Sequence, residues 1–241
     1  MNLDIHEMPI LSIIVPAYNE ERTIQQVIER IQTSKLPENF TREIIIINDG
    51  STDLTRTIVD SYAERHTVIH SINTGKGGAV RKGFHLSKGD YIVVQDADLE
   101  QNPDDFVDLI KPIADGQADV VFGSRFLGSY RPISLLMNLH YLTNKAFTVI
   151  ANVITGYRTT DVWTGYKMYS RRALDAILPA LTADGIEFEL EVTVLLSKKG
   201  MRVADVPISY VPRWYAEGKK TNWRQALVSL RKLFEYSRRK V

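Results

Sequence analysis

The chain has no cysteine among its 241 residues. Disulfides and thiolate-held metals are therefore excluded, and a bound metal would need oxygen or nitrogen ligands. This absence suits a reducing cytoplasm, with any membrane contact peripheral at its inner face. A long unbroken apolar run is also missing. The stretch from Ile133 to Gly156 approaches the length of a membrane span, but Asn138, His140, Thr143, Asn144, Lys145 and Asn152 interrupt it. Its apolar residues recur at helical spacing over 135–154, which predicts an amphipathic helix in the core or in a membrane interface. The first ten residues, MNLDIHEMPI, carry acids where a signal peptide has a basic segment. No nucleic-acid motif is present, so a nucleic-acid partner is not expected.

Composition is that of a globular protein, with 44% hydrophobic and 24% charged residues. Length and the lack of a low-complexity linker favour one domain over 1–241. The net charge of +1 hides an asymmetry. Residues 213–241 hold nine Lys/Arg and two Asp/Glu, giving +7, and the preceding 212 residues carry −6. A basic tail on an acidic body points to an anionic partner, or to a solvated helix face.

Short β-branched runs alternate with helical patterns through the first half. LSIIVP, EIIIIND, VIHSIN, YIVVQD and DVVFGSR read as strands. The spacing predicts an α/β fold, an open, doubly wound, mainly parallel sheet with helices on both faces. In the second half, FELEVTVLLSKKG reads as a helix, RVADVPISYVPR as a strand, and NWRQALVSLRKLFEYSRRK as a basic amphipathic helix over 222–241. Ligands in such sheets bind beyond the carboxyl ends of the strands. Five polar or glycine-rich motifs fall there: PAYNE, NDGSTD, NTGKGGA, DADLE and GSR.

DADLE places three carboxylates, Asp96, Asp98 and Glu100, within five residues at a strand end. Asn102 and Pro103 already supply a helix cap and first turn, so capping leaves Asp96 and Asp98 unexplained. A hard divalent ion would neutralise them, with phosphate oxygens completing its shell. In NDGSTD, Asp49 reads either as an Asp-Gly turn or as an exposed carboxylate for a nucleobase or ribose. NTGKGGA fails the Walker pattern, since Ala79 comes two residues late and lacks a hydroxyl, and it fails G-x-G-x-x-G at Val80. Its glycines still allow close approach to a ligand, and Lys76 within them is a candidate donor contact. Arg125, Arg213, Lys219 and Lys220 are candidate phosphate binders, by fork or by point charge.

The ordered set PAYNE, NDGSTD, DADLE, GSR, DVWTGYK and VPISYVPR…EGKK resembles family 2 glycosyltransferases of the GT-A fold over roughly residues 10 to 225. Within that family it looks most like the polyprenyl-phosphate, or dolichyl-phosphate mannosyltransferase-like, group. The resemblance implies a nucleotide diphosphate sugar such as GDP-mannose or UDP-glucose, a divalent metal (Mg²⁺ or Mn²⁺), inversion at the anomeric carbon, and polyprenyl phosphate as acceptor. It assigns 10–125 to donor binding and 126–225 to the acceptor. It places Asp96 and Asp98 at the diphosphate and metal, with Glu100 at a ligand position that is glutamine in some relatives. Pro16, Tyr18, Glu20 and Asp49 match the nucleotide pocket, and Arg125 an acceptor-phosphate contact. Arg213 with Lys219 or Lys220 matches a loop over the donor. The catalytic set is then Asp98, Arg125 and Arg213. Where some relatives add basic and hydroxyl groups after GSR, this helix offers His140 and Asn144.

A phosphate acceptor is already largely ionised at pH 7, its second pKa being about 6. A hydroxyl acceptor on a saccharide or protein needs a general base, for which Asp161 and Glu191 are the candidates. A nucleotide-sugar-binding module without catalysis is the alternative of another class.

Overall fold

The structure, a computed structural model, describes residues 8–128, 135–212 and 223–240, with side chains of the last two spans from 141 and 228 onward. Seven strands form one sheet: β1 (Ile10–Ala17), β2 (Thr41–Asn48), β3 (Thr67–His70), β4 (Tyr91–Val94), β5 (Val120–Ser124), β6 (Lys167–Ser170) and β7 (Val203–Pro207). Their order is β3-β2-β1-β4-β6-β5-β7. All neighbours run parallel except β6, which is antiparallel to both β4 and β5. The helices are α1 (Ile24–Thr33), α2 (Thr55–Asp60), α3 (Lys76–Leu86), α4 (Phe106–Ala114), α5 (Leu135–Thr155), α6 (Arg171–Ile177), α7 (Phe188–Lys198) and α8 (Trp223–Arg238).

The strands are β-branched because both faces of the sheet are covered. Alternate side chains of β1 go to opposite sides. Leu11, Ile13 and Val15 join Val27, Ile28 and Ile31 of α1 and Phe106, Leu109 and Ile110 of α4 in one core. Ile14 faces the other core, with Val80 and Phe84 of α3, Leu174 and Ile177 of α6, and Phe188 of α7. Helices α5 and α8 close that second core through Phe147, Ala151, Leu233 and Tyr236.

In NTGKGGA only Asn73 to Gly75 form the loop, because α3 already begins at Lys76. A Cβ at Gly77 would lie 2.4 Å from the Ala183 carbonyl oxygen, so only glycine lets this first turn sit against 183–184. Strand β6 was not foreseen in TTDVWTGYKMYS, since four residues carry too little period to read. It is the strand that reverses direction between β4 and β5. The helix expected over 135–154 is present as α5. No helix among the described residues is long and apolar enough to cross a membrane.

Candidate active site

The carboxyl ends of β1, β2, β4 and β5 open onto one edge, and their loops are tied together there. After β1, Asn19 takes a left-handed backbone, φ 54°. Its amide donates to Ser51 Oγ, and its side-chain oxygen accepts from the Thr52 amide at 2.8 Å. Thr23 Oγ1 lies 2.9 Å from Glu20 Oε2 and 2.7 Å from the Ala97 carbonyl. PAYNE is thereby fastened to both NDGSTD and DADLE. Pro16 lies within β1, paired with Ile47, and Tyr18 is exposed beyond it.

Asp49 differs from its expected exposure. Its carboxylate is buried and accepts from the amides of Thr74 and Gly75 and the hydroxyls of Thr74 and Ser71. Both oxygens thus shape the turn that launches α3, and through it place Lys76.

Lys76 crosses to the DADLE loop. Its ammonium sits 2.6 Å from Asp96 Oδ1 and 2.9 Å from Oδ2. Burial opposes that charge, but Asp96, with Glu189 and Asp98 nearby, holds the Lys76 ammonium above the usual lysine range. Gln101 braces Asp96 from the other side, accepting from its amide and donating to Oδ2. Asp98 Oδ1 accepts from the Glu100 amide at 3.1 Å, across Leu99 at φ 64°. A non-glycine residue there costs roughly 1 kcal/mol, which the Asp98 and Gln101 hydrogen bonds offset.

The three carboxylates expected to form a metal set are on this loop, but not as a closed cage. Among the described residues no group of three His, Asp or Glu side chains is gathered to hold an ion alone. Glu100 Oε2 accepts from the Tyr210 hydroxyl at 2.5 Å. The donor set fits Mg²⁺ or Mn²⁺ if phosphate oxygens and water fill the remaining positions, because such ions commonly take one or two carboxylates. A Cβ at Gly165 would stand 2.8 Å from Lys76 Nζ and 3.1 Å from Asp96 Oδ2, so glycine makes room for the Lys76–Asp96 pair.

Beneath that pair lies a buried one, Lys167 on β6 and Glu189 on α7. Lys167 also donates to the Val162 and Thr164 carbonyls, and burial lowers its pKa. Neither residue was a site candidate. GYK and the acid at the start of FELEV were visible as polar residues in apolar settings, but their pairing across 22 residues was not.

Arg125 follows β5. Its Nε and Nη2 grip Asp161 at 2.7 and 2.8 Å, and its amide donates to the same carboxylate. Its guanidinium faces the rings of Phe126 and Tyr210, 5.6 and 5.4 Å from their centroids. Burial disfavours the cation, yet Asp161 raises its pKa above the usual arginine range. Lys145 of α5 stacks on the same Phe126 ring at 4.5 Å, a cation near Arg125 that the sequence reading passed over. Asn144 offers its carbonyl to Thr148, and the His140 side chain lies outside the described residues. So do Arg213, Lys219 and Lys220.

Both base candidates have structural partners. Asp161 is fully buried against Arg125. Glu191, also fully buried, accepts from the amides of Thr182 and Ala183 and from Arg239 of the C-terminal segment. The edge therefore brings acids and cations together, Lys76 with Asp96 and Arg125 with Asp161. Neither base candidate stands open to a hydroxyl.

Comparison with known proteins finds relatives by sequence and by fold. Glycosyl transferase family 2 matches residues 12–178. A dolichyl-phosphate beta-glucosyltransferase of Dictyostelium discoideum is 30% identical over 217 residues, covering 83% of this chain and 66% of that protein. The low-salt glycan biosynthesis hexosyltransferase Agl6 of Haloferax volcanii is 30% identical over 213 residues, covering 88% of this chain and 50% of that protein. The chain thus spans about half to two-thirds of the length of these two relatives. Glucosyl-3-phosphoglycerate synthase from Mycobacterium tuberculosis, solved with Mn²⁺, UDP and glucosyl-3-phosphoglycerate, has the same fold. The TM-score is 0.70 at 23% identity, over 93% of this chain and 80% of that one.

Proposed function

Because the chain belongs to glycosyl transferase family 2, we propose that it moves a hexose from a nucleoside diphosphate sugar to polyprenyl phosphate, with inversion. The observation that carries this reading is the pairing of two phosphate-directed clusters on one sheet edge. Lys76, Asp96 and Asp98 form one, and Arg125 with Asp161 the other. UDP-glucose is the first donor to test, since relatives of this chain are a dolichyl-phosphate glucosyltransferase and a synthase solved with UDP-glucose. GDP-mannose is the second.

In this reading 10–125 binds the donor. PAYNE and the NDGSTD loop wall the nucleotide, with Pro16, Tyr18 and Glu20 lining it and Asp49 fixing the floor. Asp96 and Asp98 would hold a divalent ion, with Glu100 beside them. When bound, the ion neutralises charge on the departing diphosphate. Arg125, braced by Asp161, orients the acceptor phosphate. Arg213 with Lys219 or Lys220 covers the donor. An acceptor phosphate oxygen forms the bond to the anomeric carbon as the bond to the β-phosphate oxygen breaks. The bonding pair leaves on the nucleoside diphosphate. No proton has to be removed, which accords with the structural use of Asp161 and Glu191.

The test offers radiolabelled UDP-glucose and GDP-mannose with Mn²⁺ or Mg²⁺, and short polyprenyl phosphate beside saccharide and protein hydroxyl acceptors. Label in the polyprenyl phosphate product, lost in Asp98→Ala while the protein stays folded, is the expected result. Product only with a hydroxyl acceptor would overturn the acceptor assignment. Donor binding without turnover on any acceptor would favour a binding module.

A further inference from the structure

Tyr210 lies three residues past the end of β7 and makes an isolated antiparallel bridge to Gln101. The next amide, Val211, donates to the Glu100 carbonyl at 3.0 Å. The Tyr210 hydroxyl donates to Glu100 Oε2 at 2.5 Å. The ring of the same side chain lies against the Arg125 guanidinium, 5.4 Å from Cζ to its centroid. One side chain thus touches an acid of the DADLE loop and the cation that follows β5.

We propose that Tyr210 is a positioning residue that ties the metal-facing Glu100 to the acceptor-binding Arg125, so that donor and acceptor phosphates are held in one frame. The inference rests on the roles given to Glu100 and Arg125 above. A phenol suits this task because its hydroxyl donates to the carboxylate while its ring face receives the guanidinium. Asp161 anchors the far side of the fork, so the line Asp161–Arg125–Tyr210–Glu100 is continuous. Residues that orient metal ligands through hydrogen bonds typically change metal affinity or activity 10–100-fold when removed.

Phenylalanine at 210 keeps the ring and its stacking and removes only the hydroxyl. In Tyr210→Phe the melting temperature should stay near wild type. The Mn²⁺ dissociation constant, measured by calorimetry with UDP or GDP present, should rise about tenfold. The KM for short polyprenyl phosphate should rise as well. A role confined to packing would move neither. Glu100→Gln should also weaken Mn²⁺, and adding Tyr210→Phe to it should weaken Mn²⁺ no further. Wild-type Mn²⁺ binding and acceptor KM in Tyr210→Phe, with Glu100→Gln impaired, would overturn the tie and leave the metal reading standing. Wild-type Mn²⁺ binding in Glu100→Gln would remove Glu100 from the metal site and the inference with it.

Discussion

The Lys76 ammonium stands 2.6 Å from Asp96 Oδ1, at the point where a divalent ion would approach the DADLE loop. Two cations cannot share that carboxylate without repulsion, which at a few ångströms is worth on the order of a few kcal/mol at the effective dielectric of a protein. In the proposed function Lys76 is then a resident counter-ion that yields, or turns toward phosphate, when the donor and metal bind. Lys76→Met should bind Mn²⁺ more tightly than wild type without nucleotide, by roughly tenfold. It should also lose at least about tenfold in turnover, because a phosphate-directed charge is gone. Manganese titration followed by electron paramagnetic resonance reads the first effect. Unchanged or weaker Mn²⁺ binding would show that Lys76 does not compete for Asp96.

Asp161 is fully buried and meets Arg125 through two side-chain bonds. Removing one partner of such a pair commonly costs about 3–5 kcal/mol. Asp161→Asn keeps one acceptor, so a loss of about 3 kcal/mol in urea unfolding is expected. If Asp161 only braces Arg125, the KM for polyprenyl phosphate should rise while kcat falls less than about tenfold. A base would behave differently, since losing one typically removes 10²–10⁴-fold in rate. A collapse of kcat on that scale at unchanged acceptor KM would make Asp161 the base after all.

Much of this edge was legible from single stretches. β-branched runs bounded by polar loops marked β1, β2, β4 and β5, because strands buried on both faces have to be apolar throughout. The surplus of acids in DADLE marked the loop where Asp96 meets Lys76, because Asn102 and Pro103 already accounted for the cap. What stayed hidden were relations between distant stretches. Lys76 and Asp96 are 20 residues apart, and Glu100 and Tyr210 are 110 apart. No local periodicity records such a meeting. Asp49 looked exposed because an Asp-Gly turn usually is. It is buried because the turn at 71–75 folds over it. Strand β6 was missed because its pairing with β4 and β5, not its own four residues, makes it a strand.

Asp119, at the opposite end of β5, predicts the acid limb of stability. Burial pushes its carboxyl up, but hydrogen bonds from Arg202 and Arg172 outweigh this and hold it well below the usual aspartate range. A depressed folded pKa contributes stability that is present above the unfolded value, about 3.9. That contribution is lost as pH falls toward the folded value. Both arginines are more than half exposed, which screens the pair. Asp119→Asn should cost about 1–2 kcal/mol at pH 7. The gap from wild type should close as pH drops below about 4. Thermal melts from pH 7 to pH 2.5 check this, and a gap that widens in acid would refute it.

If the acceptor is polyprenyl phosphate, which resides in a bilayer, α5 is the face proposed to meet it. Phe147, Thr148 and Ala151 are buried. On the other side Leu142, Val149 and Val153 are 62%, 62% and 82% exposed, with Ala146 exposed between them. An apolar stripe of this kind on a helix is a candidate contact surface. Helix α8 packs beside α5 and exposes Arg231, Phe234 and Arg238. Apolar burial plus attraction to anionic lipid are the two signals that peripheral anchoring normally needs. The protein should float with phosphatidylserine-containing vesicles at low salt. Flotation should fall in high salt, where the electrostatic part is screened, and in Val149→Asp/Val153→Asp at any salt. These two positions touch neither phosphate cluster, so the folded variant should keep turnover on a water-soluble, short-chain acceptor. Absence of flotation at low salt, with a dimer in sedimentation that the double variant dissolves, would assign the stripe to a second copy of the chain instead.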